Sequence, residues 1–305
     1  MAAQTTIKPV NLQEEEEHHV SESLWATAMR RLRRDYLTQI AIAVILLLAV
    51  LSILAPTISQ HILHVDPNRT DIANKFLGIG APGHILGTDD LGRDHLSRLL
   101  HAGQISLGIG FGAAILTMTI GLTLGIVTGY YGGVVDDLIN WLITTLDSIP
   151  SLFLLLIIAA VLSPSAEALV LVLALIGWTG VMRLVRGETI ALRSQEFIVS
   201  ARSIGASDLR IMFVHMLPNL FSIVAVTLAI NIGNLILVES GLSFLGLGVK
   251  PPTATWGNML TNAQTFFTKG PHLVVMPGLL IVITVLCLYI IGDGIRDAFD
   301  PQMPR

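Results

Sequence analysis

Charge is scarce in this sequence. Only 13% of its 305 residues are Asp, Glu, Lys or Arg, about half the ~25% usual in soluble domains. Hydrophobic residues make up 52%. That balance excludes an ordinary soluble domain and indicates an integral membrane protein. A net charge of -4 gives no reason to expect a nucleic-acid partner. Cysteine is nearly absent. Cys287 stands alone in an apolar run, so no internal disulfide and no zinc-ligand spacing is available. Enzyme signatures are missing too: there is no G-x-x-x-x-G-K-[ST] phosphate loop, no H-E-x-x-H pair and no G-x-S-x-G elbow. Residues 78–83 do read G-x-G-x-x-G, but no strand precedes them and Pro82 interrupts them, which sets dinucleotide binding aside. A chain of this kind reads as a transporter, a channel or a subunit of one.

Long uncharged runs are what the sequence has instead. Residues 1–20 are polar, with Glu14 to Glu17 followed by His18 and His19. They read as a solvated tail, with metal binding by the two histidines as the lesser alternative. Leu24, Trp25, Met29 and Leu32 fall at helical spacing and lead into Arg30, Arg31, Arg33 and Arg34. Such a helix lies on a membrane surface. A bilayer needs ~20 apolar residues per helical span. Six spans are expected: 36–60, 105–128, 138–162, 168–187, 219–240 and 270–292. Arg183 and Arg186 at the end of the fourth are expected to snorkel to the interface. In the second span, Gly121, Gly125 and Gly129 recur every fourth residue, a stripe that lets another helix approach closely. Asp147 and Glu239 are the intramembrane polar residues. A carboxylate inside a span costs on the order of 2.5–3.5 kcal/mol, so Asp147 should face protein, paired, with a substrate or proton role as the lesser reading. Glu239 is expected at the far end of the fifth span.

Twelve of the eighteen Lys and Arg residues fall on the side of the N-terminus, the 188–218 stretch and the C-terminus. The excess of positive charge places that side in the cytoplasm. The expected organisation is then a cytoplasmic tail and interfacial helix at 1–35, a first span at 36–60 and an extracytoplasmic loop at 61–103. A core of five spans follows at 104–292, with a cytoplasmic segment at 196–218 and an extracytoplasmic loop at 241–272. A cytoplasmic end occupies 293–305.

The 196–219 stretch is the most polar interval in the second half of the chain. A helix-compatible run from Glu196 meets Gly205, a second run follows, and Pro218 is expected to close it. Gly permits a sharp bend and Pro fixes the next entry. Outside the membrane on the other side lies Leu86-Gly87-Thr88-Asp89-Asp90-Leu91-Gly92-Arg93-Asp94. Its plainest reading is a rigid turn with Asp89, Asp90 and Arg93 tied to one another. Calcium binding is disfavoured because the spacing is not that of an EF-hand loop.

Four segments in order carry a resemblance. Val199-Ser200-Ala201, then Gly205, then Leu217-Pro218 resembles the EAA motif of ABC-importer permeases, with Val199 where the motif's name has Glu. Residues 86–94 resemble the LGTDxxGRD signature of the dipeptide/oligopeptide branch. Residues 242–248 with Pro251, Pro252, Trp256 and Gly257 resemble its later external loop, and residues 292–301 its end. The resemblance runs from about residue 24 to the terminus and is nearest to the dipeptide-permease C type.

It implies an all-α polytopic fold with six transmembrane helices, of the type I ABC-importer permease kind, in a bacterial or archaeal cell (inner) membrane. It implies a pore subunit rather than an enzyme, with no cofactor of its own, ATP and Mg being held by partner ATPases. The implied partners are a homologous second permease subunit, two ATP-binding subunits and an extracytoplasmic substrate-binding protein. The implied cargo is a dipeptide or oligopeptide, with nickel, glutathione or a sugar as alternatives. Residues 196–203 would be the ATPase-docking helix and Gly205 its bend. Glu196, Val199, Ser200, Ala201, Arg202, Gly205, Ala206, Asp208, Leu217 and Pro218 form the implied coupling set. Gly87, Thr88, Asp89, Asp90, Gly92, Arg93 and Asp94 form the extracytoplasmic motif. Two other classes remain. A membrane enzyme would need Asp147 and Glu239 together, yet they fall at opposite ends of their spans. A gated channel would need no docking helix.

Overall fold

The computed structural model describes residues 24–161 and 165–299. The polar tail with His18 and His19, the end of the expected third span and residues 300–305 lie outside them. Among the described residues the chain is helical, with only isolated bridges in the 81–94 region. The helices are α1 (Leu24–Leu32), α2 (Tyr36–Ile53), α3 (Ala55–His61), α4 (His95–Tyr131), α5 (Gly133–Asp147), α6 (Ser151–Val161), α7 (Ala166–Arg193) and α8 (Glu196–Ser203). There follow α9 (Asp208–Phe244), α10 (Ala263–Lys269) and α11 (His272–Phe299). Among the described residues, five helices are long and apolar enough to cross a membrane, and a sixth crossing is reached if the bent pair α5–α6 counts as one span.

Several expected boundaries move, each for a local reason. The first span is not one helix to residue 60: it breaks at Leu54, and Pro56 opens α3, because proline cannot donate within a helix interior. The second span is longer than 105–128. Asp94 caps α4 by accepting from the Ser97 N–H at 2.7 Å, so the polar residues from His95 onward join a 37-residue helix. The loop before α4 therefore ends at Asp94, not at 103. The segment expected as the third span is two helices meeting at 78°, since Pro150 disfavours helical backbone at Ile149. The fourth runs on past 187 to Arg193. Pro218 closes nothing. It sits in the first turn of regular α-helix after a π-helical stretch, Ile211–Met216, where the wider turns absorb its missing donor. The fifth span thus begins at Asp208 rather than 219 and runs to Phe244. The sixth runs through Pro277 to Phe299, so residues 293–299 are helix, not a separate tail.

The core forms around α4. Its main partner is α7, and the glycine stripe sets their approach. A Cβ at Gly121 would lie 2.7 Å from Val181, one at Gly125 2.7 Å from Val185, and one at Gly129 2.7 Å from Thr189. Small residues at such a seam bring two backbones into dispersion contact, which drives helix association where lipid offers no hydrophobic gain. On the other side, α9 packs on α4 and α11. α5 is tied to α7 by two ion pairs. Asp136 holds Arg186 in a two-pronged contact, and Asp147 holds Arg183 at 2.6 Å. Asp147 is paired, as expected. The two arginines each reach a carboxylate on the neighbouring helix α5.

At 1.5 Å per residue, α4 is about 55 Å long. The 86–94 motif caps its first turn, and the 196–219 segment packs against its last. The two sequence motifs therefore sit at the two ends of one rod.

Candidate functional site

At the last turn of α4, the 196–219 segment folds as helix, bend, helix. α8 ends in a Schellman arrangement. The Ala206 N–H donates to the Ala201 carbonyl at 3.0 Å and the Gly205 N–H to the Arg202 carbonyl at 3.0 Å. Gly205 has φ +86, a left-handed conformation that glycine adopts without strain. Ile198 and Ala201 are buried against a cluster that includes Val185, Ile211, Met212 and Met216. Ala201 therefore packs inward, under the segment. Glu196, Ser200, Arg202, Asp208 and Pro218 are exposed, and Ala206 and Leu217 are half-buried. Phe197, Val199, Ile204, Leu209 and Phe213 are exposed apolar residues, with Ile204 at the bend 86% open. Val199 is thus part of an apolar outer face.

Tyr130 holds this segment from behind. Its side chain is buried, its hydroxyl donates to Asp208 Oδ1 at 2.6 Å, and the Arg202 guanidinium lies 5.3 Å above its ring. Arg202 belongs to α8 and Asp208 to α9, so one α4 residue grips both arms of the bend. Tyr130 is not among the residues singled out from the sequence, although Tyr130-Tyr131 before Gly132-Gly133 is an aromatic pair where a span should end.

At the other end of α4, the 86–94 motif is a closed turn. Asp89 accepts from the Leu91 and Arg93 N–H groups at 2.9 and 3.0 Å and from Arg93 Nε at 2.7 Å. Arg98 Nε stands 3.4 Å from the same carboxylate, and Asp90 lies 3.7 Å from Arg93. The expected tie among Asp89, Asp90 and Arg93 is present. Thr88 bonds across to Leu77 and Asn74, and Asp94 holds His84 at 2.9 Å as well as capping α4. Gly87 and Gly92 have φ +76 and +74, and a Cβ at either would strike a backbone carbonyl, at 2.1 Å and 1.7 Å. Positive φ and close approach both require glycine there.

Glu239 is fully buried, and lies within α9 rather than at its end. It accepts from the Ser243 hydroxyl at 2.7 Å and from Ser106 at 3.2 Å. Ser106 accepts in turn from the Trp256 N–H at 3.1 Å, and Trp256 Nε1 donates to the Leu99 carbonyl at 3.1 Å. This network pins the 245–262 loop to α4. Asp147 has Arg183 as its partner on α7 and Glu239 has serines on α4 and α9, so they do not form one site. No cluster of three or more metal-ligating side chains occurs among the described residues.

Comparison with known proteins gives the chain its family. Residues 121–305 match the family described as binding-protein-dependent transport system inner membrane component, and residues 23–78 match the N-terminal transmembrane domain of oligopeptide transport permease C. A dipeptide transport system permease protein of Haemophilus influenzae is 38% identical over 271 residues, covering 87% of this chain and 90% of that one. A glutathione transport system permease protein of Escherichia coli O6:H1 is 39% identical over 279 residues, covering 92% and 91%. Among solved structures, an inward-facing form of the MetNI methionine ABC transporter aligns with a TM-score of 0.55 at 18% identity. It covers 67% of this chain and 96% of that one, a likeness of fold.

Proposed function

Because the chain belongs to the family of binding-protein-dependent transport system inner membrane components, a non-enzymatic permease subunit of ABC importers, we propose that it moves dipeptides or oligopeptides across the cell membrane. An extracytoplasmic binding protein delivers the peptide. A homologous permease chain completes the pore, and two ATP-binding subunits, which hold ATP and Mg, drive it. The excess of basic residues supports a cytoplasmic side for both termini and the 196–219 segment.

The observation that carries this reading is the two-sided build of that segment. Its outer face presents Phe197, Val199, Ile204 and Leu209, flanked by Glu196, Ser200 and Arg202. Its inner face is fastened to α4 through Tyr130. A short amphipathic helix of this kind lays its apolar face in a partner's groove. When the ATPases close, the docked segment moves with them, and Tyr130 passes that displacement to α4. ATP binding and hydrolysis then bias inward- against outward-facing states. Val199 fits this role where the EAA motif has Glu, because the docking surface here is apolar.

A second cargo has its own support. The glutathione permease relatives are as similar as the dipeptide ones, and glutathione is itself a tripeptide. Proteoliposomes holding both permease chains and both ATPases, with binding protein outside, separate these readings. ATP-dependent uptake of a radiolabelled dipeptide that requires the binding protein supports the peptide reading. Uptake of glutathione alone replaces it, and uptake without ATP overturns the importer.

A further inference from the structure

Just ahead of the first long apolar helix, α1 and the turn after it form an open hollow of about 370 Å³. Ala26 and Met29 line one part of it, and Arg30, Arg33 and Arg34 line the rest. All five are exposed. The Arg33 N–H still donates to the Met29 carbonyl at 3.0 Å, which continues the helical turn. Residues 26, 29, 30 and 33 therefore share one helical face, since positions three and four apart are neighbours.

That face is held in place. α1 packs on α11 and buries Ala28. The Gln39 side chain donates to the Arg33 carbonyl, and Asp35 caps α2. The arginines thus stand at a fixed height beside the start of the first span, where Tyr36 and Leu37 are exposed. Tyrosine at the end of a span marks the headgroup level of a bilayer.

The positive charge is uncompensated at two positions. Among the described residues, neither Arg33 nor Arg34 has a carboxylate within ion-pair distance. Asp35, the nearest in sequence, accepts instead from the Leu37 N–H at 3.1 Å and from the Thr38 hydroxyl. Asp293 and Asp297 lie on the helix that α1 packs against, are exposed, and pair with neither arginine. A guanidinium presents paired N–H donors that match phosphate oxygens, and basic clusters beside the end of a transmembrane helix bind anionic headgroups. Met29 and Ala26 add an apolar floor, which a free ion does not use and the upper part of a lipid does.

We propose that this hollow binds one anionic phospholipid, with the Arg33 and Arg34 guanidiniums on its phosphate, Arg30 beside them, and Met29 under the glycerol and first acyl carbons. The bound lipid fastens α1 and the start of α2 to the bilayer surface. The site is independent of the cargo and of the ATPase contact.

The test is native mass spectrometry of the assembled transporter after titration with phosphatidylglycerol, with phosphatidylcholine, and with phosphatidylglycerol together with inorganic phosphate. The unaltered protein should retain one phosphatidylglycerol more per copy of this chain than the double variant Arg33→Gln, Arg34→Gln. It should hold that lipid at least tenfold more tightly than phosphatidylcholine. Both positions are exposed, so the double variant should assemble with an unchanged thermal midpoint, and Arg34→Gln alone should weaken retention in the same direction. Equal retention by the unaltered protein and the double variant, or of the two lipids, overturns the site. Displacement of the lipid by an equal concentration of inorganic phosphate marks a free-anion site and overturns the lipid assignment. Loss of an ATPase subunit from the double variant with lipid retention unchanged assigns the two charges to a protein contact and overturns it as well.

Discussion

The Tyr130 hydroxyl donates to Asp208 across 78 positions of chain, at 2.6 Å. This bond joins the last turn of α4 to the first turn of α9. With Arg202 stacked on the same ring, it makes the bend a fixture of the bundle. Hydrogen bonds to charged groups contribute about 1.5–3 kcal/mol. Tyr130→Phe keeps the ring and loses the bond. It should lower peptide transported per ATP hydrolysed while leaving assembly intact. Tyr130→Leu, which also removes the ring under Arg202, should lower it further. The ratio of uptake to phosphate release in proteoliposomes checks this, and an unchanged ratio in both variants rules the fastening out.

The glycine stripe predicts a contrast between two helical glycines. A Cβ at Gly125 would stand 2.7 Å from Val185 and 2.9 Å from the Met182 carbonyl, whereas nothing lies within 4 Å of one at Gly180. Overpacking costs about 1–3 kcal/mol, and separating α4 from α7 also breaks their dispersion contact. Gly125→Val should lower the thermal midpoint in detergent by several degrees. Gly180→Ala should leave it level or higher.

Gly205 is a conformational requirement, not a steric one. Its φ is +86, and a Cβ there meets nothing within 4 Å. An L-residue in that region costs about 1–2 kcal/mol. Gly205→Ala should fray the end of α8, seen as faster amide exchange at Gly205 and Ala206 with the core unaffected.

Asp89 is the anchor of the 86–94 turn, shared by Arg93 and Arg98 and by two backbone N–H groups. Removing one partner of a buried pair costs about 3–5 kcal/mol. Asp89→Asn should destabilise the 86–94 turn and make it protease-sensitive. Asp90→Asn, whose contact with Arg93 is 3.7 Å and half-open, should cost less than about 1 kcal/mol.

Much of this was legible in the sequence because the membrane imposes length and apolarity on every span. The glycine repeat foretold a close helix approach along α4, though not that α7 makes it, and Gly205 foretold the bend. The reading fell short where a polar residue sits inside a helix. His95, Ser97 and Arg98 look like loop residues, and only the Asp94 cap draws them into α4. The partners of Arg183 and Arg186, Asp147 and Asp136, could not be paired with them in advance because they lie on another helix, across a bend set by Pro150. Pro218 looked like a stop because an upstream π-helical stretch has no one-dimensional signature. The role of Tyr130 depends on contacts between residues 70 or more positions apart.

The central claim is that the outer face of the bend meets an ATPase. Ile204, 86% exposed at its tip, offers the most direct measurement. With Cys287 replaced by Ala, Ile204→Cys should cross-link to a cysteine-bearing ATPase groove in inside-out vesicles, and Leu91→Cys in the 86–94 turn should not. Cross-linking from Leu91→Cys instead, or from neither site in a preparation that transports, would contradict the account.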